Sequence, residues 1–270
     1  MSDHLECHPH PRPFVDNSLN SKTLHFSICD VQSRMQIDRP NDLMLAYTRL
    51  MMGFLLFTPN PRHIAMVGLG GGSLAKFCYR YLPDTRIQVL EINPYVIALR
   101  NEFEVPRDDH RFNVRKEEAA DYVRTAPYRF DAIIADGFDA NGVPPSLCSQ
   151  AFYDNCHDKL QPDGVLVANL HTGHEHFPIQ LERMARSFAG QILAVDDFEC
   201  NNVIVFAFKE AITSRRLLGN LKLCAMTLVP EAWHQLEPSF FRIGKSASGK
   251  KNHARDRPHE HRRDRSDGPG

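Results

Sequence analysis

From residue 63 onward the chain repeats one rhythm. A short apolar run gives way to an amphipathic stretch, with turn residues at each junction. The runs predict strands over 64–68, 86–92, 112–116, 130–136 and 164–170. Helices are predicted between them over 72–81, 94–103, 118–124, 149–160 and 178–188, with Pro94 suited to a first helical turn. Two further strands, 191–196 and 202–208, follow too closely for a helix and read as a closing antiparallel pair. The central strands are apolar throughout, as burial on both faces requires. The pattern is α/β: a seven-stranded, mostly parallel sheet with helices on both faces.

The flanking segments follow other patterns. Residues 1–13 are polar, contain three prolines and are expected to lack order. Between 14 and 40, apolar and polar residues alternate in places (Leu24, Phe26, Ile28; then Val31, Met35, Ile37), which predicts two or three short strands. Residues 41–58 read as a helix capped by Asn41 and stopped by Pro59-Asn60-Pro61. Its leucines, methionines and phenylalanines are too dense for a surface helix, so it should be buried. Together these make a β cap plus buried helix over 14–61, ahead of a main domain at 62–210. One or two further helices are expected over 211–244, then a charged, aromatic-free tail at 245–270, expected to be disordered.

Composition narrows the class. Net charge is −1, but residues 245–270 hold eight Lys/Arg against four Asp/Glu, which leaves the rest at −5. An acidic body does not suit a protein that grips nucleic acid. Seven scattered cysteines with no CxxC suit a reduced, cytoplasmic protein. The longest strongly apolar run, about Leu50 to Phe57, is too short to span a bilayer, so no membrane role is expected.

The candidate chemistry collects where the strands end, the edge at which open α/β sheets bind ligands. Strand one runs into Gly68-Leu69-Gly70-Gly71-Gly72, a turn whose backbone a nucleoside can approach closely. Strand two ends at Glu91, 19 residues after Gly72, near the spacing of a ribose-binding acid. The third glycine of a GxGxxG fingerprint falls at Ser73. Strand three ends at Glu117-Glu118; strand four at Asp136, with Asp139 three residues on; strand five at Asn169-Leu170-His171. Simpler readings stand beside these. Glu118 could serve the following helix, and Asp139 could cap a turn. The HTGHEH run at 171–176 lacks the spacing of a helical zinc motif, and no metal is expected.

These residues resemble the spermidine synthase (polyamine aminopropyltransferase) family, in particular its bacterial spermidine synthase-like members. The matching stretches are Leu45 to Arg49, VGLGGGSL at 67–74, VLEINPYVI at 89–97, EEAADYV at 117–123, FDAIIADGFD at 130–139 and AFYDNCHDKLQPDGVLVANL at 151–170. The resemblance implies a small N-terminal β region on a methyltransferase-like Rossmann domain. It implies that Gly68, Gly70 and Gly72 cradle a sulfonium nucleoside, with Glu91 on its ribose and Glu118 on its adenine. Asp136 would be the catalytic acid that holds and deprotonates the attacking amine. Asp139 would be a second catalytic and amine-binding acid, and Tyr47 part of the amine pocket. Decarboxylated S-adenosylmethionine would be the co-substrate, with no tightly bound cofactor, and a homodimer is implied. Three positions depart from the family pattern. Gly71 stands where an aspartate is usual, Thr48 where a Gln or His is usual, and Asp196 to Cys200 near a Tyr-Pro-rich segment. Two other readings accompany this one: a small-molecule methyltransferase using intact S-adenosylmethionine, and a non-catalytic nucleoside-binding protein.

Overall fold

A computed structural model describes residues 10–27, 30–138, 142–197 and 201–255. The N-terminal part is a three-stranded antiparallel sheet of β1 (Phe14–Asn17), β2 (Ser21–Ser27) and β3 (Asp30–Gln36). The main sheet holds β4 (His63–Val67), β5 (Arg86–Glu91), β6 (Phe112–Lys116), β7 (Phe130–Ala135), β8 (Leu160–His171), β9 (Ile192–Asp196) and β10 (Asn202–Phe208). Its order is β6-β5-β4-β7-β8-β10-β9, with β10 antiparallel to both neighbours and the other pairs parallel. The sequence-predicted seven strands and closing pair are thus present. The winding reverses between β4 and β7, and their carboxyl ends diverge there into a crevice.

Alternation along the strands divides the core. Ile64 and Met66 of β4 pack into one cluster, Ala65 and Val67 into the other. The second cluster is covered by α4 (Ala119–Thr125), α5 (Gln150–Lys159) and α6 (Phe177–Ser187). The first is covered by α1 (Ala46–Met51), α2 (Ser73–Tyr81), α3 (Pro94–Ala98), α7 (Ser214–Thr227) and α8 (Pro230–Arg255).

Three elements differ from the sequence reading. The helix expected over 41–58 is a short α1 followed by a 3-10 segment, Met52–Leu56. Asn41 does not cap it; the cap position is Leu45, with no side-chain bond. Side chains hold the approach in a non-helical path instead. Gln235 Oε1 accepts from the Leu43 amide at 2.8 Å, and Arg49 Nη1 donates to the carbonyls of Leu43 and Met44. Gly53 lets this segment sit close against α8: a Cβ on it would lie 2.1 Å from Ile243. Secondly, α3 ends at Ala98 rather than 103, and the following turn passes through Glu104 at φ 54°. Thirdly, the segment expected to be disordered from 245 continues α8 to Arg255. Its apolar stripe, Leu236, Phe240, Ile243 and Ala247, keeps helical spacing past that boundary and packs on the core. Residues 256–270 lie outside the described part. At the other end, Pro11 accepts from Asn93 Nδ2 at 2.8 Å and Arg12 sits 4.8 Å from the Tyr95 ring, so the expected disorder stops short of 13.

Candidate active site

A cavity of about 970 Å³ opens at the carboxyl ends of β4, β5, β7 and β8 and is roofed by β2, β3 and α1. Gly68, Gly70, Glu91, Glu118, Asp136 and Tyr47 all line it. Gly72 lies just beneath, as the N-cap of α2.

The glycine turn needs its glycines for two reasons. Gly68, Gly70 and Gly72 have φ of 91°, 51° and 71°, the left-handed region that side chains disfavour. Space is also short: a Cβ on Gly68 would lie 2.5 Å from the Asp136 carbonyl oxygen, and one on Gly72 2.4 Å from Val105. Glu91 fastens this turn. The Leu69 amide donates to its Oε2 at 2.9 Å and the Asn93 amide to its Oε1 at 2.8 Å. Burial pushes the Glu91 carboxyl above its ordinary value, while these backbone donors pull it back. Each oxygen keeps a second lone pair, so a carboxylate already holding the loop can still accept two hydroxyls.

Glu118 is the N-cap of α4: its Oε1 accepts from the Ala120 amide and the Ser146 hydroxyl, each at 3.3 Å. The simpler reading of this residue therefore holds, and it faces the cavity as well.

Gly71 has a neighbour that sequence alone did not indicate. A Cβ there would lie 2.6 Å from Ser33 Oγ and 2.9 Å from Phe103. Ser33, buried on β3, bonds the Ser73 hydroxyl at 3.2 Å. Lys76 on α2 donates to the Phe103 carbonyl at 2.8 Å and pins that turn; burial lowers its amine to about 8. So where the resembling family has an acid, this chain has two hydroxyls and a phenyl ring.

Asp136 leaves β7 half-buried, its amide donating to the Val67 carbonyl at 2.9 Å. Asn169 Nδ2 donates to its Oδ1 at 2.9 Å, and the Tyr47 hydroxyl also bonds it. Burial raises the Asp136 carboxyl, against which these two donors act. A carboxylate held this way, in a cavity and off a buried strand, suits proton acceptance from a ligand. Asp139 lies outside the described residues. Ser33 and Asn202 join the wall from strands that carried no acid or glycine signal; Asp197 joins it from the run near the missing Tyr-Pro segment. Among the described residues, no group of three or more His, Cys, Asp or Glu is placed to hold a metal. Nor is any helix among them long and apolar enough to cross a membrane.

The polyamine aminopropyltransferase of Neisseria meningitidis serogroup A is 37% identical over 203 residues, 74% of this chain and 77% of that protein. Among solved structures, a probable spermidine synthase from Corynebacterium glutamicum superposes with a TM-score of 0.64 at 18% identity, covering 77% of this chain and 83% of that one. Human methyltransferase-like protein 13 in complex with SAH gives 0.58 at 21%, covering 73% and 92%. These two show a shared Rossmann-like fold. The model of the spermine/spermidine synthase domain matches residues 44–190, more than half of the chain, and with the Neisseria relative it establishes that the chain belongs to the spermine/spermidine synthase family.

Proposed function

We propose that the chain is a transferase that moves the aminopropyl group of decarboxylated S-adenosylmethionine to the nitrogen of a small amine. The observation that carries this reading is Asp136, a desolvated carboxylate in the same cavity as the glycine turn and Glu91. The donor binds as a co-substrate along Gly68, Gly70 and Gly72, with its ribose on Glu91 and its adenine beside Glu118. The acceptor lies against Asp136, Asp139 and Tyr47. A free alkylamine is protonated at neutral pH and cannot attack. Asp136 takes its proton; the nitrogen then displaces sulfur at the aminopropyl carbon, so that a C–N bond forms as the C–S bond breaks. Methylthioadenosine leaves with the sulfur electron pair. A carboxylate raised by burial is a stronger base than an exposed one, which favours this step. Relatives named polyamine aminopropyltransferase at 37% identity support the reading. On the same grounds the protein acts in the cytoplasm, as a homodimer, with no cofactor held between turnovers.

A second reading, methyl transfer from intact S-adenosylmethionine, rests on Gly71. With Ser33 and Phe103 against it, the turn carries no acid to repel a donor carboxylate. Calorimetric titration with intact and decarboxylated S-adenosylmethionine, methylthioadenosine and NAD separates the two. Tighter binding of the decarboxylated donor is the expected result. Tighter binding of the intact donor would sink aminopropyl transfer, and silence with every nucleoside would sink both.

A further inference from the structure

Residues 10–12, expected to lack order, are fastened over one end of the cavity. The Pro11 carbonyl accepts from Asn93 Nδ2 at 2.8 Å, while Asn93 Oδ1 accepts from the Tyr95 amide at 3.0 Å. Asn93 is buried, and its side-chain amide is engaged at both ends. Arg12 lies 4.8 Å from the centroid of the Tyr95 ring, a second and independent tie to the first turn of α3. These ties bring His10 and Pro11 to the cavity wall, at the end formed by Glu91, Glu117 and Glu118. His10 is half-buried there. Burial raises the Glu91 carboxyl; backbone donors act against it and, last, so does the charge of His10. Imidazole and carboxylate are thus near neighbours. They are not bonded to each other, and among the described residues no hydrogen bond occupies the His10 ring.

The hydrogen bonds already made show what the space between them can receive. Ionised, the three glutamates of this end only accept. A ribose diol that gives both hydroxyl protons to Glu91 has two oxygens left as acceptors, and these need a donor. Among the described residues, no Lys or Arg lines the cavity. Asn93 Nδ2 is already bound to Pro11, and the Ser146 hydroxyl to Glu118. His10 is the side-chain N–H donor that remains at this end among the described residues, and its ring carries at least one N–H in either charge state. Its place beside Glu91 suits a hydroxyl held by both groups, donating to the carboxylate and accepting from the ring.

We propose that His10 is a ribose-binding residue of the nucleoside site, donating to a diol oxygen whose hydrogen Glu91 accepts, and that Asn93 and Arg12 hold it in place. This rests on the nucleoside half of the proposed reading and is the same for aminopropyl and methyl transfer. The segment ahead of β1 is then part of the site. One side of the ribose is held by the main sheet, the other by chain from outside it. Arg12 meets Tyr95 and does not line the cavity, so it is a positioning residue that acts through His10.

Calorimetry with methylthioadenosine and its 2′,3′-dideoxy analogue tests this in wild type, His10→Ala, Arg12→Ala and the double variant, with thermal melts alongside. His10→Ala should weaken methylthioadenosine about three- to tenfold, the worth of one hydrogen bond to the ligand. The dideoxy analogue offers no diol, so its affinity should change by less than about twofold. Arg12→Ala should weaken methylthioadenosine about two- to fivefold, and the double variant should bind no more weakly than His10→Ala, because both changes act on one contact. Equal losses for the two ligands in His10→Ala would overturn the proposal. So would unchanged affinity in either single variant, or additive losses in the double one. A lowered melting temperature with both ligands weakened alike would also overturn it, because His10 would then only hold the fold. Failure of wild type to bind methylthioadenosine would instead count against the nucleoside reading itself.

Discussion

The two ends of the cavity are built from different materials. At the end that the proposed reading gives to the nucleoside the surface is mainly backbone: three left-handed glycines, the start of α2, and a buried Glu91 whose oxygens hold the Leu69 and Asn93 amides. At the end that the proposed reading gives to the amine it is side chain: Asp136, Asn169, Tyr47 and Asp197, each from a different strand end or helix. Backbone surfaces tolerate little change at the residues that shape them and are indifferent to most others. Side-chain surfaces can be rewritten one residue at a time. A family can therefore keep its donor site and vary its acceptor.

This contrast should appear in mutants, beginning with the largest effect. Asp136→Asn should lower turnover by about 10²- to 10⁴-fold, the usual worth of a general base, and leave nucleoside affinity nearly unchanged. Initial rates and calorimetry together check this; a comparable collapse of nucleoside binding would erase the division between the ends. The same variant has an opposite effect on stability. The folded carboxyl is raised above its ordinary value of 3.8, so both states are protonated below that pH and burial costs nothing. As pH rises through the window from 3.8 to the raised folded value, the folded state must ionise against burial and wild-type stability falls. Asp136→Asn should thus melt higher than wild type at pH 7, and the gap should close toward pH 3.8. Thermal melts across pH that show no such convergence would contradict the burial account.

Backbone sites come next. Gly68→Ala adds a Cβ 2.5 Å from the Asp136 carbonyl at a φ of 91°. It should cost about 3 kcal/mol or more in chemical denaturation. A neutral result would mean the turn is looser than the geometry requires. Gly71→Asp should cost less, about 1–3 kcal/mol, because Ser33 is a side chain and can give way. Adding Ser33→Gly should recover a good part of that loss and shift donor preference toward the decarboxylated form. No recovery would place the obstruction at Phe103 instead. Smallest is Glu118→Gln, which keeps an oxygen for the α4 cap. Stability should drop by under about 1 kcal/mol, with nucleoside affinity falling a few-fold.

The same contrast explains what could be read in advance. The seven strands, the closing β9–β10 pair and the glycine turn follow from local signals: apolar runs, helix-length gaps and residues that tolerate positive φ. The position of Glu91 and Asp136 on the cavity wall was legible because strand ends in such sheets open on a crevice. What escaped depends on contacts between distant segments. Nothing near Gly71 in sequence indicates that Ser33, from another sheet, fills its side-chain space. The helix predicted over 41–58 failed because Gln235 and Arg49 satisfy backbone groups of Leu43 and Met44 outside the helix. The tail boundary at 245 was set by charge density, which hides an apolar stripe that repeats once per turn through Ala247.

The contact between Gly68 and the Asp136 carbonyl joins the two ends mechanically. On the proposed reading, donor cradle and base meet there through main chain, with no adjustable side chain between them, so a shift of one carries the other. On that reading, drift in acceptor choice falls to the far strands, β8, β10 and β9, where the wall can be recut without moving the Gly68–Asp136 main chain. An engineer wishing to change the amine while keeping the chemistry would begin at positions 169, 197 and 202 and leave the first strand's turn alone.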